Sequence, residues 1–176
     1  MDYSAEMRKT YLCAVPHTVY TALVWLTAGL LGDLMTKPIA IVFFLVGCTF
    51  IFPMGELIRK IFRAPNVVLK ENKLPQLFTQ LAFTIPLSYP LVYLACQIDI
   101  HFFFPAFAVL IGAHYLPFVY GYGKKTFALL GALLVITGTL SIFFFKESFS
   151  FSAYIIAGLL IAFATLHYFQ LKNETV

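Results

Sequence analysis

The chain has 176 residues, 61% of them hydrophobic, and only 11% are charged, against about 25% in soluble domains. With a mean hydropathy of +0.87, this composition excludes an ordinary soluble domain and a disordered chain and implies a polytopic membrane protein. The net charge of +4 comes from basic residues set between apolar runs, so it reads as topogenic charge and contact with anionic headgroups, not as a nucleic-acid surface.

Residues 1–10 are polar. Six apolar runs follow, over about 11–31, 38–55, 74–96, 102–122, 126–145 and 149–169. Each is close to the ~20 residues that a helix needs to cross a bilayer, and about twice the length of a barrel strand. The predicted fold is therefore all-α: a single six-helix transmembrane domain, packed as a compact bundle. The first run is too long for a signal-peptide core and lacks a convincing cleavage site, so it is expected to be a retained span. The second starts at Pro38, a favoured first-turn residue. It is expected to outlast the membrane through residues 56–63, where Glu56, Arg59, Lys60 and Arg63 take one face and Leu57, Ile58, Ile61 and Phe62 the other. Glu56 stands four residues before Lys60, the favourable order for a helical ion pair. Pro65 and Asn66 end this segment. Asn72 caps the third span, with Pro75 in its first turn, and Asp99 can cap the fourth. Gly121 to Thr126 is similar to an anion-binding turn but lacks P-loop spacing; a tight turn with topogenic lysines and a lipid-phosphate site both fit it. Gly131 and Gly138, seven apart, are expected to allow close helix packing.

Six spans put the N-terminus, the second and fourth loops and the C-terminus on one side. That side carries Arg8, Lys9, Arg59, Lys60, Arg63, Lys70, Lys73, Lys124, Lys125 and Lys172, against Lys37 and Lys146 on the other. Ten against two is a strong positive-inside signal, which predicts an inner-membrane protein with both termini cytoplasmic.

Ionisable groups inside spans are costly and are functional candidates by default. At 1.5 Å per residue, His114 lies ~15 Å deep, His17 ~12 Å and Gln80 ~10 Å, while Glu56 sits near the cytoplasmic boundary. His167 is shallow and free to snorkel. Polar residues in span one (Cys13, His17, Tyr20, Thr21, Thr27) and span three (Gln76, Gln80, Thr84, Ser88) follow helical steps. Such stripes should face the bundle interior, either as interhelical hydrogen bonds or as the lining of a hydrated cavity. Pro53, Pro86, Pro90 and Pro117 lie inside spans and can free carbonyls, Pro117 that of Ala113 beside His114. The candidate ligand-binding set is His17, Glu56, Gln80, His114 and Tyr115. Glu56 and Arg59 form either a gate or an interfacial ion pair. Cys13, Cys48 and Cys96 lack metal-ligand spacing and read as packing residues. No HExxH, GxSxG or GxGxxG occurs. Hence no catalytic residue, metal or cofactor is expected.

The segments Phe50–Leu57 and Gly112–Phe118 resemble an uncharacterised family of small bacterial multipass integral-membrane proteins. The resemblance implies a small multipass protein and brings no activity with it. The leading functional expectation is a small permease or channel-like protein with a cytoplasm-facing polar cavity, in which His114 binds a proton or ligand. The alternatives are a structural or accessory membrane subunit and a membrane-embedded lipid-modifying enzyme. Expected partners are the bilayer, anionic headgroups on the cytoplasmic side, and a second copy or another membrane protein; no nucleic acid is expected.

Overall fold

A computed structural model describes residues 2–145 and 147–174, so Lys146, counted above on the outer side, lies outside the described residues. All regular structure among them is helical, and prolines divide several of the apolar runs. The polar N-terminus forms a helix of its own, α1 (Tyr3–Thr10), capped by Asp2, whose side chain accepts the Ala5 N–H at 3.0 Å. That hydrogen bond holds the Asp2 carboxyl below its ordinary pKa. Leu12, Cys13 and Ala14 then turn the chain through three consecutive left-handed residues, φ 49°, 53° and 61°. Each costs about 1–2 kcal/mol for an L-residue, so this joint stores strain. It delivers α2 (Val15–Leu34), with Pro16 in the first turn.

The second span is not one helix. α3 (Lys37–Thr49) and α4 (Ile51–Ile61) meet at Phe50 with a 56° bend. Pro53 has no N–H to return to the Thr49 carbonyl, so the ladder cannot continue and Pro53 falls in the first turn of a new helix. The same logic divides α5 (Leu74–Leu87) from α6 (Tyr89–Ile98) at Ser88 between Pro86 and Pro90, and α7 (Phe103–His114) from α8 (Leu116–Tyr122) at Tyr115 before Pro117. α9 (Thr126–Phe144) and α10 (Phe151–Glu174) are unbroken. Asn72 and Asp99 both act near helix starts, accepting the Leu74 and His101 N–H groups at 3.0 and 2.9 Å. Five segments are long and apolar enough to cross a membrane, and the bent α3–α4 pair makes a sixth. The protein is an all-α membrane bundle.

Its core is aromatic. Trp25 meets Phe44 edge-to-face at 4.8 Å, and Phe44 meets Phe107 at 4.9 Å. α7 and α9 touch backbone to backbone: a Cβ on Gly112 would lie 2.6 Å from the Gly131 carbonyl oxygen, one on Gly131 2.6 Å from that of Gly112, and one on Gly138 2.6 Å from that of Pro105. Only 6% of the membrane-crossing stretch of α5–α6 is buried, against 33% to 50% in the other four segments. His167 does not snorkel. It is fully buried, its ring tilted against Phe127 at 4.2 Å, and hydrogen-bonded through Nε2 to Thr126 at 2.8 Å.

Both ends are tied by polar contacts. At one, Arg8 donates to the Tyr122 carbonyl and to Glu174, both at 2.8 Å, and Lys124 pairs with the same carboxylate. α1 and the end of α10 therefore share one end of the bundle. At the other, the Tyr154 hydroxyl donates to Asp33 at 2.5 Å and Lys37 donates to His101 at 2.9 Å. The other nitrogen of His101, Nδ1, lies 2.7 Å from Asp99.

Candidate functional site

A cavity of about 430 Å³ lies where the broken spans diverge. Met7 and Tyr11 close it from the N-terminal segment, Ala14 and His17 from the start of α2, and Cys48, Thr49 and Phe52 from the bent joint. α5 contributes one wall, with Phe78 and Phe83; His114, Phe118 and Tyr122 contribute another. The lining holds two imidazoles and no Asp, Glu, Lys or Arg. Phe52 and Phe83 line it while remaining 49% and 62% exposed, so they stand at a rim. α3–α4 packs chiefly on α2, and α5 on α7 and α1, while the Thr49 and Tyr89 side chains interact between the second and third spans. The exposed rim residues Phe52 on α4 and Phe83 on α5 put the mouth of the cavity on its side, between the second and third spans.

At one end a charged group backs the wall. Arg59 donates from Nε and Nη2 to one oxygen of Glu56, at 3.0 and 2.9 Å. Its guanidinium stands 5.7 Å from the Tyr11 ring, close enough for a cation–π contact. Glu56 therefore pairs one turn on with Arg59, and Lys60, four residues on, is exposed. Leu57, Ile61 and Phe62 are exposed on the other side of α4. His17 turns Nε2 toward Glu56 at 3.9 Å, and its Nδ1 is buried with no hydrogen-bond partner among the described residues. The imidazole lies directly against Gly55: a Cβ there would fall 2.1 Å from the ring carbon Cδ2. Glycine at this position is what admits the histidine.

His114 lies on another wall. Its Nδ1 is 3.3 Å from the Thr84 hydroxyl, which itself donates to the Leu81 carbonyl at 2.7 Å. Thr84 thus accepts from His114, which places the imidazole proton on Nδ1 and leaves Nε2 as an acceptor. That atom has no hydrogen-bond partner among the described residues.

The structure thus brings His17, Glu56 and Arg59 together and puts His114 on the same cavity. It sets Tyr115 and Gln80 apart. Tyr115 is buried behind the wall, interacting with Thr18 and lying parallel to the Phe127 ring. Gln80 is exposed and outside the lining. α5 turns Leu74, Leu77, Phe78, Leu81 and Ile85 toward the bundle, and this apolar face directs Gln76 and Gln80 outward. Sequence reasoning missed the aromatic lining and the role of Gly55; the only signal was a glycine amid large residues one position before Glu56. No cluster of three or more metal-ligating side chains occurs among the described residues.

No curated protein and no solved structure matches the chain. A family model does match it, over residues 2–170, and the chain belongs to that family of unknown function, DUF7010.

Proposed function

We propose that this membrane protein is a small permease that takes an amphiphilic solute into the cavity between the first four spans. The solute enters between α3–α4 and α5, lays its apolar part on the aromatic walls and offers its polar group to His17 and His114. The observation that carries this reading is the pair of imidazoles on an otherwise uncharged cavity at membrane depth, one of them backed by Glu56 and Arg59. The cavity volume falls within the ~300–1,000 Å³ range of small-molecule pockets. His114 Nε2 can accept a hydrogen bond from the solute, and a proton gained by His17 meets a carboxylate 3.9 Å away. The basic end carrying Arg8 and Lys124 faces the cytoplasm of a bacterial inner membrane, against anionic headgroups.

The test is a thermal-stabilisation screen of the purified protein against fatty acids, lysolipids and hydrophobic amines, followed by flux of any hit in proteoliposomes. A hit that is transported, and whose affinity falls about tenfold or more in His114→Ala or His17→Ala, supports the proposal. Hits that bind these variants as tightly as the parent, or that bind without crossing the membrane, overturn it. The sideways opening favours one second reading, a lipid-modifying enzyme with His114 Nε2 as the base. A change in lipid mass on incubation with the protein, absent in His114→Ala, would select that reading.

A further inference from the structure

We infer that a second copy of this chain docks on the outer face of α5–α6, amide to amide at Gln80. The inference rests on the third span alone and is independent of the permease reading. This span is the least embedded of the membrane-crossing segments, with 6% of its crossing stretch buried. Its outward stripe runs Gln76, Gln80, Phe83, Leu87, Leu91, Leu94 and Ile98, in steps of three and four, which keeps these side chains on one helical face. From Phe83 onward they are 60% to 81% exposed. The face carries no charge.

Exposed leucines in a membrane helix need no partner, because lipid serves. Gln80 is different. It lies about 10 Å along the helix from Lys73. At that depth a short side chain cannot reach the headgroups, and lipid offers an amide neither donor nor acceptor. Neither Gln80 nor Gln76 has a hydrogen-bond partner among the described residues. A primary amide carries both functions, so two of them facing across a two-fold axis satisfy each other. Two copies inserted in the same direction bring Gln80 to the same depth without any adjustment. A different partner would need a polar side chain of its own at that depth, whereas a second copy brings one by symmetry. Docking also has a consequence for the cavity. Phe83 lies on this stripe and at the cavity rim, so the neighbouring copy narrows the sideways opening.

The test is oxidative crosslinking in native membranes, in a background with Cys13, Cys48 and Cys96 changed to alanine. Leu87→Cys and Leu91→Cys, on the same stripe with both amides intact, should each give a species of twice the chain mass. Leu140→Cys on α9 and Ile161→Cys on α10, exposed on other faces of the bundle, should not. A second measurement keeps the native cysteines: energy transfer between copies labelled through a C-terminal tag in liposomes. There Gln76→Leu/Gln80→Leu should weaken association about tenfold. Crosslinking at neither test position, equal crosslinking at the controls, or energy transfer unchanged by the leucine pair would overturn the inference. A crosslinked species of a mass other than twice the chain would assign the face to another membrane protein, and the second copy would be wrong.

Discussion

Gly55 and His17 are a single steric unit. The imidazole occupies the volume where a Cβ would stand, with Phe52 5.9 Å and Tyr11 6.4 Å away between ring centroids, so it has little room to retreat. Gly55→Ala should therefore destabilise the protein by about 1–3 kcal/mol, the usual cost of overpacking, read as a fall in the thermal unfolding midpoint in detergent. Adding His17→Ala should recover most of that loss, because the double variant refills the vacated space. A Gly55→Ala protein as stable as the parent would mean that His17 does not sit there. For His114 the expectation is different. His114→Gln can keep a hydrogen bond to Thr84, and His114→Ala forfeits one worth about 0.6–2 kcal/mol in a membrane bundle. Both should remain folded by size-exclusion profile, so loss of ligand binding in either reports on Nε2 chemistry. The ionisable residues were conspicuous in the sequence because their depth follows from the distance to flanking lysines. That His17 and Glu56 meet was not readable, since the contact depends on a bend and on a glycine whose neighbour lies almost forty positions away.

The apolar runs and the prolines within them were legible in the sequence; the divisions at Phe50, Ser88 and Tyr115, and which face of a helix turns inward, were not. In water a polar stripe faces out. In a membrane the bundle interior and the lipid are similarly apolar, and period alone cannot assign the faces. The third span shows this: the stripe of Gln76, Gln80 and Thr84 competes with Leu77, Phe78, Leu81 and Ile85, and only Thr84 reaches a polar partner, His114. Glycine positions in α9 were more legible, because close backbone contact requires them. Gly131→Ala or Gly112→Ala must push a new methyl against a carbonyl oxygen 2.6 Å away, so α7 and α9 must separate. A loss of about 1–3 kcal/mol is expected from thermal unfolding. Gly158→Ala on α10 is the matched control, since nothing lies within 4 Å of its added Cβ. It should be neutral or stabilising by up to about 1 kcal/mol. Equal losses at all three positions would show that helix propensity or detergent sensitivity, not the α7–α9 contact, governs the result.

Across the whole molecule, the two ends differ in charge, and the ties at each end hold the spans in register. Arg8, Lys124 and Glu174 join α1, the α8–α9 turn and the end of α10 at one end, while Asp33, Tyr154, Lys37 and His101 join the opposite loops. The shared end of α1 and α10 requires an even number of crossings, in agreement with α3 and α4 acting as one bent span. Which end faces the cytoplasm depends on charge alone, through the excess of lysine and arginine at the Arg8 end. This predicts the outcome of cysteine labelling with a membrane-impermeant maleimide. Position 70, exposed in the loop before α5, should be unreactive in intact cells and reactive after permeabilisation; position 148, exposed before α10, should react in both. Both substitutions, Lys70→Cys and Ser148→Cys, lie outside the packed core and should leave the fold intact. Reaction at position 70 in intact cells with protection at 148 would invert the orientation. Identical behaviour at the two positions would remove the six-crossing arrangement itself, because these loops would then lie on one side.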